Sequence, residues 1–256
     1  MTQAAASPPV ISRAAALLRE LGRAGDRGAS TTELARNVAI PRPTVHRMLV
    51  ALADEGLVDR ASDSAAWFLG PEMYLLGSVA ASRYDTAPQA VEVLRGLARD
   101  TAESAFLSAR RGDESVCVSA EEGSFPLRSH VLHPGKRFPL GVASAGLVML
   151  AHSPDREIDA YLDRVDLQAA WGPGHTATAI RRRIRQTRLT GYAVNPGLLV
   201  EGSWGVGAAV FDELGRPRWA LSLTGVESRF NGRRQKQLGE SLLRAAHVLT
   251  RRLAKR

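Results

Sequence analysis

The sequence of 256 residues is poor in the features that mark secreted and membrane proteins. Its one cysteine, Cys117, excludes an internal disulfide and a zinc site built from several cysteines, and its apolar neighbours predict a buried side chain. No apolar run reaches about 18 residues, so we expect no membrane-spanning helix. The first ten residues lack the basic and apolar stretches of a secretory signal, so we expect a cytoplasmic protein without membrane contact.

Motifs that build common active sites are also missing. Ser144 lies in the string GVASAG instead of the G-x-S-x-G elbow of a hydrolase. The glycines of GSWGVG do not form the dinucleotide-binding pattern G-x-G-x-x-G, and no phosphate-binding G-x-x-x-x-G-K-[ST] occurs. His130 and His133 have neither a nearby cysteine nor a paired acid to complete a metal site. The sequence therefore predicts a protein without enzymatic activity, metal or cofactor.

The net charge of +8 suggests a polyanionic partner, usually a nucleic acid. However, residues 1–70 contain eight arginines and no lysine against seven acidic residues, so this segment is nearly neutral. The run Arg181–Arg183 is interpreted as a solvated helix face. DNA binding must therefore be argued from the placement of particular residues, because bulk charge does not settle it.

The first 70 residues show the pattern of three short helices followed by a hairpin. Apolar residues at spacings of three and four predict helices over 11–24 and about 42–55. Between them, Ser30 and Glu33 form a capping box that opens a second short helix. Two extended pieces on either side of a turn-rich tip complete the pattern, which predicts a winged helix-turn-helix domain over residues 1–70.

A linker helix and a larger domain are predicted for the remainder. Gly70-Pro71 opens a helix over 71–87, whose apolar stripe of Met73, Leu76, Val79 and Ala80 needs a partner. From residue 88 onward, helices alternate with strands. The predicted strands of the whole chain are 57–60, 66–69, 105–109, 115–120, 127–132, 192–194, 206–211 and 219–224. The predicted helices of this larger domain are one opened by Pro88 and those at 144–152, 154–163, 177–189 and 233–253.

Four stretches, in order along the chain, resemble the isocitrate-lyase-regulator (IclR) family of bacterial transcription regulators. They are IPRPTVHRMLVALADEGLVDR…WFLGPEMYLLG, GKRFPLGVASAGLVMLA, TGYAVNPGLLVEGSWGVGAAVFDELGRP and WALSLTG. The resemblance implies an α+β protein with a winged helix-turn-helix, a linker helix and, over 88–256, a GAF- or PAS-like α/β effector domain with a central antiparallel sheet. It also implies a homodimer or homotetramer.

Residues on the outer face of the third helix are candidates for reading DNA. A recognition helix presents such side chains to base edges and phosphates, and arginine can pair bidentately with guanine. An arginine of the second helix could reach the DNA backbone, and the hairpin, with its tip at 62–64, could lie along the minor groove. The DNA-binding candidates are Arg36, Arg42, Thr44, His46, Arg47 and Arg60. Pro41 and Pro43 stand where the family often has a capping Ser or Thr, so proline φ is expected to fix this helix start.

Small residues before the helix at 144 let a ligand approach the backbone, and the helix start offers free N–H groups to an anion. In the family this turn binds the effector. The resemblance implies an effector-binding pocket of Phe138, Ser144, Ala145, Asn195, Ser203, Gly205, Ser222 and Thr224. Ser222 and Thr224 alternate on one strand, so their hydroxyls are expected on the same side.

Five positions depart from common family patterns. Gly141 stands where His is frequent, Leu147 where Lys is frequent, and Asn195 where an acid is frequent. Trp204 replaces a frequent Arg, and Gly205 a frequent Cys. The expected pocket is therefore nearly uncharged and flanked by an aromatic ring. We expect a small organic effector with an apolar or aromatic body, with or without one carboxylate.

Two interpretations of function remain open. In the first, the protein is a ligand-responsive regulator, with repression the preferred sign. It binds a palindromic double-stranded operator as a dimer or tetramer, and the effector shifts the population between two arrangements. In the second, the C-terminal domain is an enzyme or metabolite-binding module, and the winged helix mediates protein interactions. The near-neutral charge of residues 1–70 is the feature that favours the second interpretation.

Overall fold

The computed structural model describes residues 9–61, 64–84 and 87–254. Contacts divide the chain into an N-terminal unit, Met1–Asp85, and a C-terminal unit, Thr86–Arg256. Within the described ranges, no helix is both long and apolar enough to cross a membrane.

The N-terminal unit contains a three-stranded antiparallel sheet and the three predicted helices, followed by a fourth helix. The helices are α1 (Val10–Ala24), α2 (Thr31–Asn37), α3 (Arg42–Asp54) and α4 (Pro71–Tyr84); the strands are β1 (Ala29–Ser30), β2 (Val58–Arg60) and β3 (Ala66–Leu69), in the order β1-β3-β2. This layout confirms the winged helix-turn-helix. The short β1 was not predicted. It forms after Gly28, whose φ of +62° and missing Cβ let the chain pass the Phe68 ring.

The apolar faces of the first three helices meet the sheet in one small core. Its buried members are Leu17, Leu21, Ala29, Leu34, Val45, Leu49, Val58 and Trp67. The capping box fixes the start of α2, since the Glu33 N–H donates to Ser30 Oγ at 3.2 Å and the Ser30 N–H donates to Glu33 Oε2 at 2.9 Å. The Ser30 N–H, followed by Arg27 at 3.0 Å, lowers the pKa of Glu33 to about 2.

The C-terminal unit is built on a six-stranded antiparallel sheet in the order β6-β5-β4-β9-β8-β7. Its strands are β4 (Ser104–Arg111), β5 (Glu114–Glu121), β6 (Arg137–Pro139), β7 (Tyr192–Pro196), β8 (Ser203–Phe211) and β9 (Pro217–Val226). Its helices are α5 (Ala87–Thr101), α6 (Ser144–Ala151), α7 (Asp155–Arg164), α8 (Leu167–Trp171), α9 (Ala177–Thr190) and α10 (Gly232–Leu253). The α+β class and the central antiparallel sheet are confirmed.

The two faces of this sheet carry different helices because side chains alternate along a strand. Along β9, Leu221 and Leu223 join the core formed with α5 and α10. Ala220, between Trp219 and Leu221, joins the opposite core with α6, α7 and α9. Ser222 and Thr224 continue the Ala220 side of the strand, so two hydroxyls stand on the face that α6 covers.

The predicted strand over 127–132 is wrong. In the structure this stretch belongs to an irregular segment between β5 and β6, and none of its residues joins the sheet ladder. Its apolar residues Val131 and Leu132 pack against the core beneath α6, while Ser129 Oγ lies 2.6 Å from Ser203 Oγ. The apolar residues Val131 and Leu132 thus cover a core without strand pairing, whereas Leu127 is exposed.

The close approach of α6 to β8 makes Gly207 sensitive to any side chain. A Cβ at Gly207 would lie 2.9 Å from the Ser144 carbonyl carbon and 3.0 Å from its oxygen, closer than real Cβ atoms come. Gly207→Ala is expected to lower the free energy of unfolding by about 2 kcal/mol, measured by urea unfolding of the full chain. Gly96→Ala is the matched control, because its Cβ would meet nothing within 4 Å on α5. Equal destabilisation by both variants would contradict this view of the contact.

Candidate functional site

A cavity lies in the C-terminal unit where the start of α6 faces β8 and β9. It encloses about 470 Å³ of space, which includes open solvent at its mouth. The lining residues are Ser108, Ser115, Val131, Leu132, Phe138, Ala143, Ser144, Ala145, Asn195, Leu199, Ser203, Trp204, Gly205, Ser222 and Thr224. All eight residues predicted for effector binding are among them. The irregular segment between β5 and β6 contributes Val131 and Leu132.

Glycine on β8 sets how closely α6 approaches the sheet. A Cβ at Gly205 would lie 3.2 Å from Ser144 Oγ, so a larger residue there would narrow the cavity. The residue before α6, Ala143, provides no side-chain cap. The first N–H groups of α6 are therefore not capped by that side chain at the wall of the cavity, where they can meet an acceptor.

Two hydroxyls of β9 are buried in this wall. Ser222 is 1 % exposed, and among the described residues neither Ser222 Oγ nor Thr224 Oγ1 has a hydrogen-bond partner. A buried hydroxyl without a partner costs roughly 1–3 kcal/mol of stability. A buried polar group without a protein partner calls for an explanation, and hydrogen bonding to a bound ligand is the one that fits a cavity wall.

Asn195 lines the cavity, but its amide is already engaged. Its Nδ2 donates to the Val142 carbonyl at 2.8 Å, and its Oδ1 accepts from the Leu198 N–H at 3.0 Å. His175 Nε2 also lies 3.4 Å from the Val142 oxygen, and burial lowers the pKa of His175. In this structure Asn195 holds the turn before α6, and each polar atom of its side chain already makes one hydrogen bond to the backbone.

The guanidinium of Arg183, in the basic run of α9, is largely buried. Its Nη2 donates to the Gly141 carbonyl at 2.9 Å, while Nε and Nη1 are buried without a partner among the described residues. Burial, and secondarily Arg182, lowers the pKa of Arg183 to about 10. The solvated face predicted for Arg181–Arg183 is therefore wrong at this position. Arg183 braces the turn before α6 from the outside, since it is not among the residues that line the cavity.

The N-terminal unit presents the predicted DNA-binding residues on its surface. On α3, Val45 and Leu49 face the core, whereas Arg42, His46 and Arg47 are exposed. The remaining candidates are half-buried Thr44 and the exposed residues Arg36 of α2 and Arg60 of β2. Pro41 caps α3 without a side-chain hydrogen bond, as its lack of a polar side chain predicts. Residues 62 and 63 of the predicted hairpin tip lie outside the described residues.

The arginines on this surface keep their charge available. In the described part of the chain, no carboxylate forms an ion pair with Arg36, Arg42 or Arg47. The same holds there for Arg60, whose guanidinium carbon lies 5.5 Å from the centre of the Trp67 ring. The surface thus combines exposed cations with the start of a helix, the combination that suits phosphate groups.

Two family models match the chain. The IclR helix-turn-helix domain matches residues 10–62, and the bacterial transcriptional regulator IclR C-terminal domain matches residues 78–251. The chain belongs to the IclR family. It is thus a DNA-binding transcription regulator with a C-terminal effector domain, and not an enzyme. Of the two interpretations left open by the sequence, the family supports the regulator.

Individual IclR-family proteins are similar over most of their length. The HTH-type transcriptional regulator Rv1719 of Mycobacterium tuberculosis is 32% identical over 91% of this chain and 88% of its own. The transcriptional repressor IclR of Escherichia coli is 24% identical over 86% of this chain and 81% of its own. An IclR transcriptional regulator from Alicyclobacillus acidocaldarius has a solved structure with a TM-score of 0.77 and 25% identity, covering 96% of this chain and 98% of that one.

Cys117 of this IclR-family chain is expected to be chemically inert in the folded state. Its side chain is 1% exposed on β5, and burial raises its pKa to about 12. The thiolate fraction near pH 8 therefore falls by on the order of 1,000-fold. A disulfide reagent such as Ellman's should label the native protein far more slowly than the urea-unfolded protein. Val118→Cys in a Cys117→Ser background is the control, because Val118 is exposed on the same strand and should label rapidly. Rapid native labelling of Cys117 would contradict its burial.

Proposed function

We propose that this regulator binds a double-stranded operator through α3 and the β2–β3 hairpin, and that a small effector in the cavity changes this binding. The proposal that an effector binds in the cavity rests on the two buried hydroxyls of Ser222 and Thr224, beside the start of α6. Neither hydroxyl is engaged by another described residue, so both are available to donate to or accept from an effector in the cavity. Hydrogen bonds from the effector to the hydroxyls of Ser222 and Thr224 therefore contribute directly to its binding energy.

The cavity favours an effector with an apolar or aromatic body. Among its described lining residues, none is ionisable, and several are apolar: Val131, Leu132, Phe138, Leu199 and Trp204. A highly charged ligand would be desolvated there without a counter-ion. One carboxylate is tolerated at the α6 end, because the helix N–H groups and the hydroxyls of Ser222 and Thr224 can all donate to it.

The proposed DNA-binding residues divide into two roles. Arg42, Thr44, His46 and Arg47 occupy the half of the recognition helix that meets base edges and neighbouring phosphates. Arg36 and Arg60 lie on other elements and are suited to the phosphate backbone. Base contacts then determine specificity, whereas backbone contacts fix the register.

We also propose self-association and repression. Tyr74, Leu75 and Leu76 of α4 are 76%, 55% and 53% exposed, and such a concentration of large apolar side chains usually marks an interface. A two-fold dimer, alone or within a tetramer, would read a palindromic operator. Repression is the preferred sign, because the Escherichia coli relative is a repressor. The effector acts by binding one arrangement of the two winged helices more tightly than the other.

Arg47→Ala tests the DNA contact. A random-sequence duplex pool is first selected with the wild-type protein, and the enriched duplex is then used in titrations at two salt concentrations. Loss of a base-reading arginine is expected to weaken binding by roughly 5- to 150-fold. Arg218→Ala, an exposed position on β9, removes the same charge and should change binding little. An enriched palindrome supports the symmetric dimer. A wild-type protein that enriches nothing, or an equal effect of both variants, would falsify the specific readout.

The double variant Ser222→Ala/Thr224→Val tests the cavity. Because both hydroxyls lack partners, their removal is expected to leave the unliganded Tm unchanged or raised. Aromatic monocarboxylates such as benzoate and phenylacetate should raise the wild-type Tm, and this shift should shrink or vanish in the variant. Glyoxylate, which has no apolar body, should give little shift. Tight glyoxylate binding without any response to an aromatic acid would overturn the proposed effector class.

A further inference from the structure

We propose that Trp67 is the positioning residue of the DNA-contact surface, and that its buried ring sets the geometry of α2, α3 and the β2–β3 hairpin together. The inference rests on the proposed function, because it concerns side chains proposed there to meet DNA. Trp67 itself is 3% exposed and offers no surface to a ligand. Its effect on DNA binding must therefore pass through the residues it touches.

Three neighbours of the indole ring belong to three different elements. Its Nε1–H donates to Thr31 Oγ1, at the first residue of α2, over 3.0 Å. The imidazole of His46 on α3 stands at 83° to the indole, with 6.4 Å between ring centroids. The guanidinium carbon of Arg60 on β2 lies 5.5 Å from the ring centroid. One side chain thus links the two helices of the helix-turn-helix to the hairpin.

The backbone of Trp67 is fixed by strand pairing on both sides. It lies on β3, the central strand of the three, where Ala29 is its Cα partner on one side and Arg60 on the other. Residues directly opposite in an antiparallel pair have neighbouring side chains, so the Arg60–Trp67 contact follows from the register. The indole also packs in the core with Val45 and Leu49 of α3. The ring therefore cannot move without disturbing the core.

A fixed ring favours DNA binding because it orders two mobile side chains before DNA arrives. An arginine loses considerable rotamer freedom when it is immobilised against a phosphate. Stacking over an indole removes part of that freedom in advance, yet leaves the N–H edge of the guanidinium available to an acceptor. Preordering of one such side chain is expected to be worth roughly 2- to 10-fold in affinity. The same argument applies to the ring of His46.

The experiment is a double-mutant cycle between Trp67→Phe and Arg60→Ala. Affinity is measured for the duplex enriched from the random-sequence pool and for a mixed-sequence duplex, well below the Tm of every variant. Each single variant is expected to weaken binding by roughly 2- to 10-fold. In the Trp67→Phe background, Arg60→Ala should cost clearly less than in the wild type, because Arg60 has already lost its support. A residue that only stabilises the fold would give additive effects.

Two further comparisons separate positioning from stability. Thr31→Val removes the acceptor of the indole N–H and should weaken DNA binding, whereas Thr31→Ser keeps a hydroxyl and should restore it. Leu21→Val trims the same core from α1, so it lowers stability while Trp67, Thr31, His46 and Arg60 all keep their side chains. Its affinity for DNA should match that of the wild type.

The outcomes are distinguishable from failure of the proposed function. If Arg60→Ala weakens binding but Trp67→Phe does not, or the two effects add, the positioning role is overturned while the DNA contact stands. A loss of affinity in Leu21→Val equal to that in Trp67→Phe overturns it as well. If Arg60→Ala has no effect, the hairpin contact and this inference both fall, and Arg47→Ala shows whether α3 still reads DNA.

Discussion

The start of α6 lies against β8 at a distance that only glycine allows, and the cavity depends on this contact. A Cβ at Gly207 would come within 2.9 Å of the Ser144 backbone, and one at Gly205 within 3.2 Å of its hydroxyl. Because both positions lack a side chain, the helix start can descend onto the sheet and expose its N–H groups to the space beside β9. Asn195 and Arg183 bind the carbonyls of the preceding turn and hold it in place.

The same strand that completes the core also provides the polar wall of the cavity. Leu221 and Leu223 are fully buried against α5 and α10, while Ser222 and Thr224 point to the α6 side. A one-residue shift in register would exchange the two sets and place hydroxyls in the core. The buried packing of the leucines therefore keeps the two unpartnered hydroxyls in position, although these hydroxyls cost stability. The leucines that stabilise one face of β9 therefore position the hydroxyls of the cavity on the other face.

Periodicity and turn chemistry in the sequence were sufficient for most elements, and family resemblance was needed for the site. Helical spacing and the Ser30–Glu33 capping box predict α1 to α3, and the resemblance brings eight dispersed residues to one cavity. The failures occur where local pattern and tertiary contact disagree. The stretch 127–132 contains apolar residues typical of a strand but has no ladder partner, and Arg183 lies in a basic run yet donates to a backbone carbonyl. Neither a missing partner strand nor an inward guanidinium can be read from spacing alone.

The near-neutral charge of the N-terminal segment conceals a local separation of charge. Glu20 forms an ion pair with Arg23, and Glu33 with Arg27, so these acids are neutralised on α1, α2 and the turn between them. On α3 the exposed residues Arg42 and Arg47 have no such carboxylate among the described residues. A DNA phosphate interacts mainly with charged side chains close to it, because charges beyond a Debye length of about 8 Å are largely screened at physiological salt. The position of the exposed arginines on α3 therefore matters more for the attraction of DNA than the sum of charges over residues 1–70. The near-neutral charge of residues 1–70 also limits nonspecific attraction by this unit, which leaves a larger share of its affinity to base contacts.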